Sequence, residues 1–116
     1  MNVPVTAFGE VLVLTPVGPL YEGRTAEILY ERIRQLLSEG NTTLIIDLNQ
    51  VPWVRSSGIG TLMGCRTECL TAGGSLRITG LNERIAELLN SLQLDKVFDC
   101  HATLEEAVIA SGGTFE

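Results

Sequence analysis

The stretch "TTLIIDL", Thr42–Leu48, constrains the fold more than any other. It is of strand length and lacks the polar alternation of a strand with one face in water. Such a run has to be buried on both faces. Burial on both faces demands a covering layer on each side, which the helical crossovers between parallel strands provide.

The rest of the chain provides those crossovers. "VLVLTPVG", Val11–Gly18, is β-branched and Leu-rich and stops at Pro16 and Gly18, so it predicts a strand. A short strand around Val3–Phe8 precedes it, with Gly9-Glu10 as the hairpin turn. In "TAEILYERIRQLLSEG", Ala26, Leu29, Ile33, Leu36 and Leu37 recur at helical spacing, while Glu27, Glu31, Arg34 and Glu39 face away. Gly40 and Asn41 end that helix. From Gly58 onward, Ile59, Leu62, Met63, Cys69 and Leu70 predict a second helix that stops at Gly73-Gly74. "SLRITG" is a strand. "LNERIAELLNSLQL" is a helix capped by Asn82, with Ile85, Leu88, Leu89 and Leu92 inward. "KVFDC" is a short strand, and "TLEEAVIAS" opens with a capping box, Thr103 with Glu106. The order β-β-α-β-α-β-α-β-α predicts an α/β fold: a mostly parallel four- to five-stranded sheet with about four helices. One domain is expected over 1–116, with a core at about 9–110 and a flexible tail at 111–116.

Composition excludes several function classes. The net charge is −6, from 14 acidic and 8 basic residues with Lys96 the single lysine, so no basic patch exists to engage nucleic acid or an anionic membrane. No apolar run approaches the ~20 residues of a membrane span. "MNVPVTAFGE" has no basic flank and no long apolar stretch, so no secretory leader is expected. Three cysteines, Cys65, Cys69 and Cys100, are an odd number and are expected as reduced thiols in a cytoplasm.

The chemistry-bearing stretch is "VPWVRSSGIGTLMG", Val51–Gly64. Here a strand-like run ends in Arg55-Ser56-Ser57-Gly58 and helical spacing begins. In a parallel sheet, ligands and modifications gather at the carboxyl ends of strands, which is where this junction falls. Two readings stand side by side. Ser56 or Ser57 caps the helix, since Ser is a preferred N-cap. Alternatively, a serine at a helix N-terminus is a phosphate acceptor, because the free N–H groups and the positive end of the dipole favour negative charge. Gly58 and Gly60 would then let another protein's active site approach the backbone.

Other signals are weak. "GIGTLMG" has Met63 where a dinucleotide loop needs its third glycine. His101 is the only histidine, and no nucleophile elbow surrounds the serines, so no catalytic set is expected. Cys65 and Cys69 share a helix face, and with Cys100 and His101 they match no zinc spacing; core packing is expected, with no metal and no cofactor. Trp53 is expected to pack under the sheet edge, the alternative being a partner anchor.

From Leu44 to Ala107 the chain resembles the STAS domains of bacterial anti-sigma factor antagonists. The shared features are Asp47-Leu48, Ser-Ser-Gly-Ile-Gly at Ser56–Gly60, Ala72–Gly74, Leu94-Asp95 with Phe98, and Leu104–Ala107. The likeness covers about residues 9–110. It implies a regulatory binding module that engages an anti-sigma factor serine kinase and so releases a sigma factor. In that family the kinase phosphorylates the second serine, which maps onto Ser57 with Ser56 the lesser candidate, and a serine phosphatase resets it. The resemblance puts the partner surface at Arg55, Ser56, Gly58, Ile59, Leu62 and Tyr21. Two positions depart from the family pattern. Arg55 stands where the family commonly has Asp; it cannot accept a hydrogen bond but can pair with a phosphate or with a partner's acid. Tyr21 stands where the loop often has an Asp. The alternatives are a STAS scaffold without a phosphoswitch, or a STAS module that binds a small ligand.

Overall fold

The computed structural model describes residues 3–20 and 24–115. Its elements are β1 (Val5–Phe8), β2 (Val11–Leu14), α1 (Arg24–Ser38), β3 (Thr43–Asp47), α2 (Ser56–Thr71), β4 (Ser75–Thr79), α3 (Glu83–Ser91), β5 (Asp99–His101) and α4 (Leu104–Ala110). They build a five-stranded sheet in the order β1-β2-β3-β4-β5. The β1–β2 hairpin is antiparallel and every later pairing is parallel.

The central strand is buried as its composition demands. Leu44 and Ile46 pair with Leu12 and Leu14 on one side and with Leu76 and Ile78 on the other. Leu44 and Ile46 lie in the larger core, with Leu29 and Ile33 of α1, Leu62 of α2 and Ile85 and Leu89 of α3. Ile45 points the opposite way, into a smaller cluster with Val11, Val13, Ala107 and Val108. Three helices therefore cover one face of the sheet and α4 covers the other, the alternation of period two carried through to both layers.

The helices start and stop as local chemistry requires. Asn82 caps α3, its side chain accepting from the Ile85 N–H at 2.9 Å. Thr103 caps α4, accepting from the Glu106 N–H at 3.2 Å. Gly73, at φ +78°, turns the chain out of α2, and at Gly74 a Cβ would lie 2.1 Å from the Thr42 carbonyl oxygen, so only glycine fits there.

The structure differs from expectation at two places. Helix α2 begins at Ser56, two residues before Gly58. The last strand is Asp99–His101 and not "KVFDC"; Leu94–Lys96 form a 3₁₀ turn, entered through Gln93 at φ +59°. The N–H groups of Val97 and Phe98 both donate to the Leu94 carbonyl, which curls the segment and drives Phe98 into the core. Beyond α4 the described chain runs to Phe115, whose ring stacks on Phe8 with centroids 5.2 Å apart.

Candidate functional site: the serine corner at the start of the second helix

Three segments meet beyond the carboxyl ends of β2, β3 and β4. Asp47, buried at the end of β3, closes a tight turn by accepting from the Asn49 N–H at 3.0 Å and the Asn49 side-chain amide at 3.3 Å. The link that follows is tied to the loop after β2. Gly18 N–H donates to the Gln50 carbonyl, Leu20 N–H to the Trp53 carbonyl and Arg55 N–H to the Leu20 carbonyl, at 3.0, 3.1 and 2.9 Å. From beyond β4, the Asn82 amide donates to the Pro52 carbonyl at 2.9 Å. The approach to Ser56 is thus held on two sides by backbone acceptors and donors that would otherwise need water.

The N-cap of α2 is Arg55, at φ −95° and ψ 172°, and no side chain caps the helix. This decides against the capping alternative for the serines. Ser56 is exposed and Ser57 half-buried, and both are already helical residues. Neither hydroxyl has a hydrogen-bond partner among the described residues; Ser57 is engaged only through its carbonyl, which accepts from the Thr61 hydroxyl at 3.1 Å. The first intrahelical bond is from the Ile59 N–H to the Arg55 carbonyl at 3.0 Å. The N–H groups of Ser56, Ser57 and Gly58 precede it and are the orphan donors of this helix end. The corner presents a hydroxyl nucleophile beside uncompensated positive dipole.

Arg55 is exposed, and its guanidinium carbon sits 5.3 Å from the centroid of the Trp53 ring. Trp53 therefore does more than pack: its face holds a cation beside the serines. This pairing was missed in the sequence, although residues i and i+2 of an extended segment share a side and so signal it.

Three residues expected at a partner surface are in the interior. Leu62 is fully buried and Ile59 is 5% exposed. Gly58 is buried because the loop presses on it: a Cβ there would lie 2.6 Å from the Leu20 carbonyl oxygen and 2.8 Å from Val54 Cγ1. Their helical spacing is a core stripe, and the open side of α2 carries Ser56, Gly60, Met63, Thr67 and Leu70 instead. Tyr21 lies outside the described residues.

The remaining candidates fall elsewhere. Cys65 and Cys69 are free thiols in the core. Burial pushes Cys65 up to about 12 and Cys69 up to about 11, aided by the Glu68 carboxylate, so neither is a nucleophile near neutral pH. His101 is on β5, two strands from β3, and its carbonyl accepts from the Thr79 hydroxyl at 2.9 Å. A groove of about 560 Å³ between α3 and β5 includes Glu83, Glu87 and Asp95 in its lining, a poor match for an anionic lipid or nucleotide.

The sequence profile of the STAS domain matches residues 2–107. The chain belongs to the STAS domain family. The anti-sigma-B factor antagonist of Bacillus subtilis (strain 168) is 31% identical to this STAS domain over 84 residues, 72% of this chain and 76% of that protein. The crystal structure of an anti-sigma factor antagonist from Mycobacterium paratuberculosis superposes on the STAS domain with a TM-score of 0.81 and 21% identity, covering 96% of this chain and 93% of the other. The Bacillus cell fate determinant SpoIIAA in its phosphorylated form superposes with a TM-score of 0.71 and 21% identity, covering 94% and 98%. These superpositions extend the α/β architecture of the STAS domain to the whole sheet.

Proposed function

We propose that this STAS domain is a cytoplasmic anti-sigma factor antagonist whose binding to an anti-sigma serine kinase is switched off by phosphorylation of Ser57. The observation that carries the reading is the first turn of α2. Its cap position is filled by Arg55, and among the described residues the serine hydroxyls are unengaged and have no structural duty. The similarity to an anti-sigma-B factor antagonist supplies the partner class.

The domain is the substrate of the transfer and supplies no catalytic group. The Ser57 oxygen attacks the γ-phosphorus of ATP held by the kinase, ADP leaves, and the hydroxyl proton passes to a base on the kinase. The added group brings about −1.5 to −2 charge to a corner that must be desolvated on binding, which releases the partner. Hydrolysis of the phosphoester by a serine phosphatase restores the binding form. Nucleic acid and membrane have no role in this cycle, in keeping with a net charge of −6.

The test is intact and peptide mass after incubation with an anti-sigma kinase of the same genome and ATP. One phosphate on Ser57, absent from Ser57→Ala, is the expected result. Tight binding to that kinase without phosphate would replace the switch with a constitutive antagonist or scaffold.

A further inference from the structure

Arg55 is an exposed cation with an unusual restraint. Its guanidinium carbon lies 5.3 Å from the Trp53 ring centroid, and no carboxylate lies within ion-pair distance of it among the described residues, where the one ion pair is Arg34 with Glu68. A cation–π contact at an exposed site is weak, so the guanidinium can leave the ring for a charge-assisted partner such as a phosphate. Its planar fork can offer two parallel N–H donors to a phosphate.

Arg55 is two residues before Ser57, and consecutive Cα atoms are ~3.8 Å apart, so the two Cα atoms are at most ~7 Å apart. An arginine side chain spans that distance, and a phosphoserine reaches part of the way back. The chain is acidic overall, with a net charge of −6, so a dianion added here gains from a local cation.

We propose that Arg55 is the built-in counter-ion of phosphorylated Ser57, its guanidinium moving from the Trp53 face to clasp the phosphate. This rests on the reading of Ser57 as acceptor. The consequence is a double change at one corner. Before modification the corner offers an exposed cation to an acid on the partner; afterwards that cation is sequestered and an anion stands in its place. A single phosphate therefore both removes an attraction and adds a repulsion.

The experiment installs phosphoserine at position 57 during translation, so no kinase is involved. The second ionisation of the phosphate is followed by ³¹P NMR in the otherwise unchanged chain, in Arg55→Gln and in Arg55→Lys. The phosphate's proton affinity is expected to be about three-fold lower with Arg55 than with Gln, the size an exposed ion pair produces, with Lys in between. The Arg55 Nε–H resonance is expected to move with the same midpoint. Superimposable titrations for Arg55 and Arg55→Gln overturn the proposal, as does an Arg55 Nε–H resonance that ignores the titration. Phosphoserine is supplied here without an enzyme, so this result and the kinase experiment above fail independently.

Discussion

Gly58 and Gly60 stand two residues apart on α2 and do opposite things. A Cβ at Gly58 would enter the Leu20 carbonyl and Val54, whereas at Gly60 it would meet nothing within 4 Å. Gly58→Ala is expected to lower stability by about 1–3 kcal/mol through forced backbone movement. Gly60→Ala is expected to raise it by about 0.5–1 kcal/mol through helix propensity. Urea unfolding of the two variants reads both signs. The buried thiols make a second prediction at this scale. A thiol raised from 9.0 to about 12 at Cys65 binds its proton more tightly when folded. Its stabilising effect is therefore complete below pH 9 and is lost as pH rises towards the folded value, with Cys69, raised to about 11, acting in the same sense. Between pH 9 and 11 the native chain should lose stability more steeply than Cys65→Ala/Cys69→Ala, by up to ~1.4 kcal/mol per pH unit per thiol, in denaturant titrations at stepped pH.

At the scale of elements, α2 is a long helix without a side-chain cap, while α3 and α4 are capped by Asn82 and Thr103. Arg55→Asp should supply the missing acceptor and a favourable charge at the dipole's positive end. A gain of about 0.5–1 kcal/mol in thermal unfolding is expected. No gain would mean that the loop bonds already hold Arg55 in a conformation where an aspartate cannot reach the first-turn amides. The capped helices were legible in the sequence because Asn82 sits three residues before the repeat that opens at Ile85, and Thr103 forms a capping box with Glu106. The start of α2 was not, because the apolar repeat begins only at Ile59 and the serines before Gly58 read as caps, while the Leu20 carbonyl that presses on Gly58 is remote in sequence. The same remoteness hid the burial of Ile59 and Leu62. Spacing shows that they share a face but not what covers it, and the covering elements are α1 and the sheet. The last strand was misread for a related cause: Phe98 is apolar enough for a strand but is taken by the core through a 3₁₀ turn.

At the scale of the whole molecule, the two layers are unequal. The face under α1, α2 and α3 holds most of the core, whereas the other has a short helix and the cluster around Val11, Val13 and Ile45. The Phe8–Phe115 stack extends that thin layer over β1. Phe115→Ala should cost about 1 kcal/mol and speed amide exchange in β1 before any other strand; equal exchange across the sheet would show that the tail adds nothing. The strand order carries a further consequence. Each of the five strands lies beside its predecessor in the chain, and none is inserted between two earlier ones. A growing polypeptide can therefore lay the sheet down from one side as it leaves the ribosome, each new strand docking on a finished edge. The serine corner, begun by the loop after β2 and the link after β3, would be closed only when β4 has docked and Asn82 behind it reaches the Pro52 carbonyl.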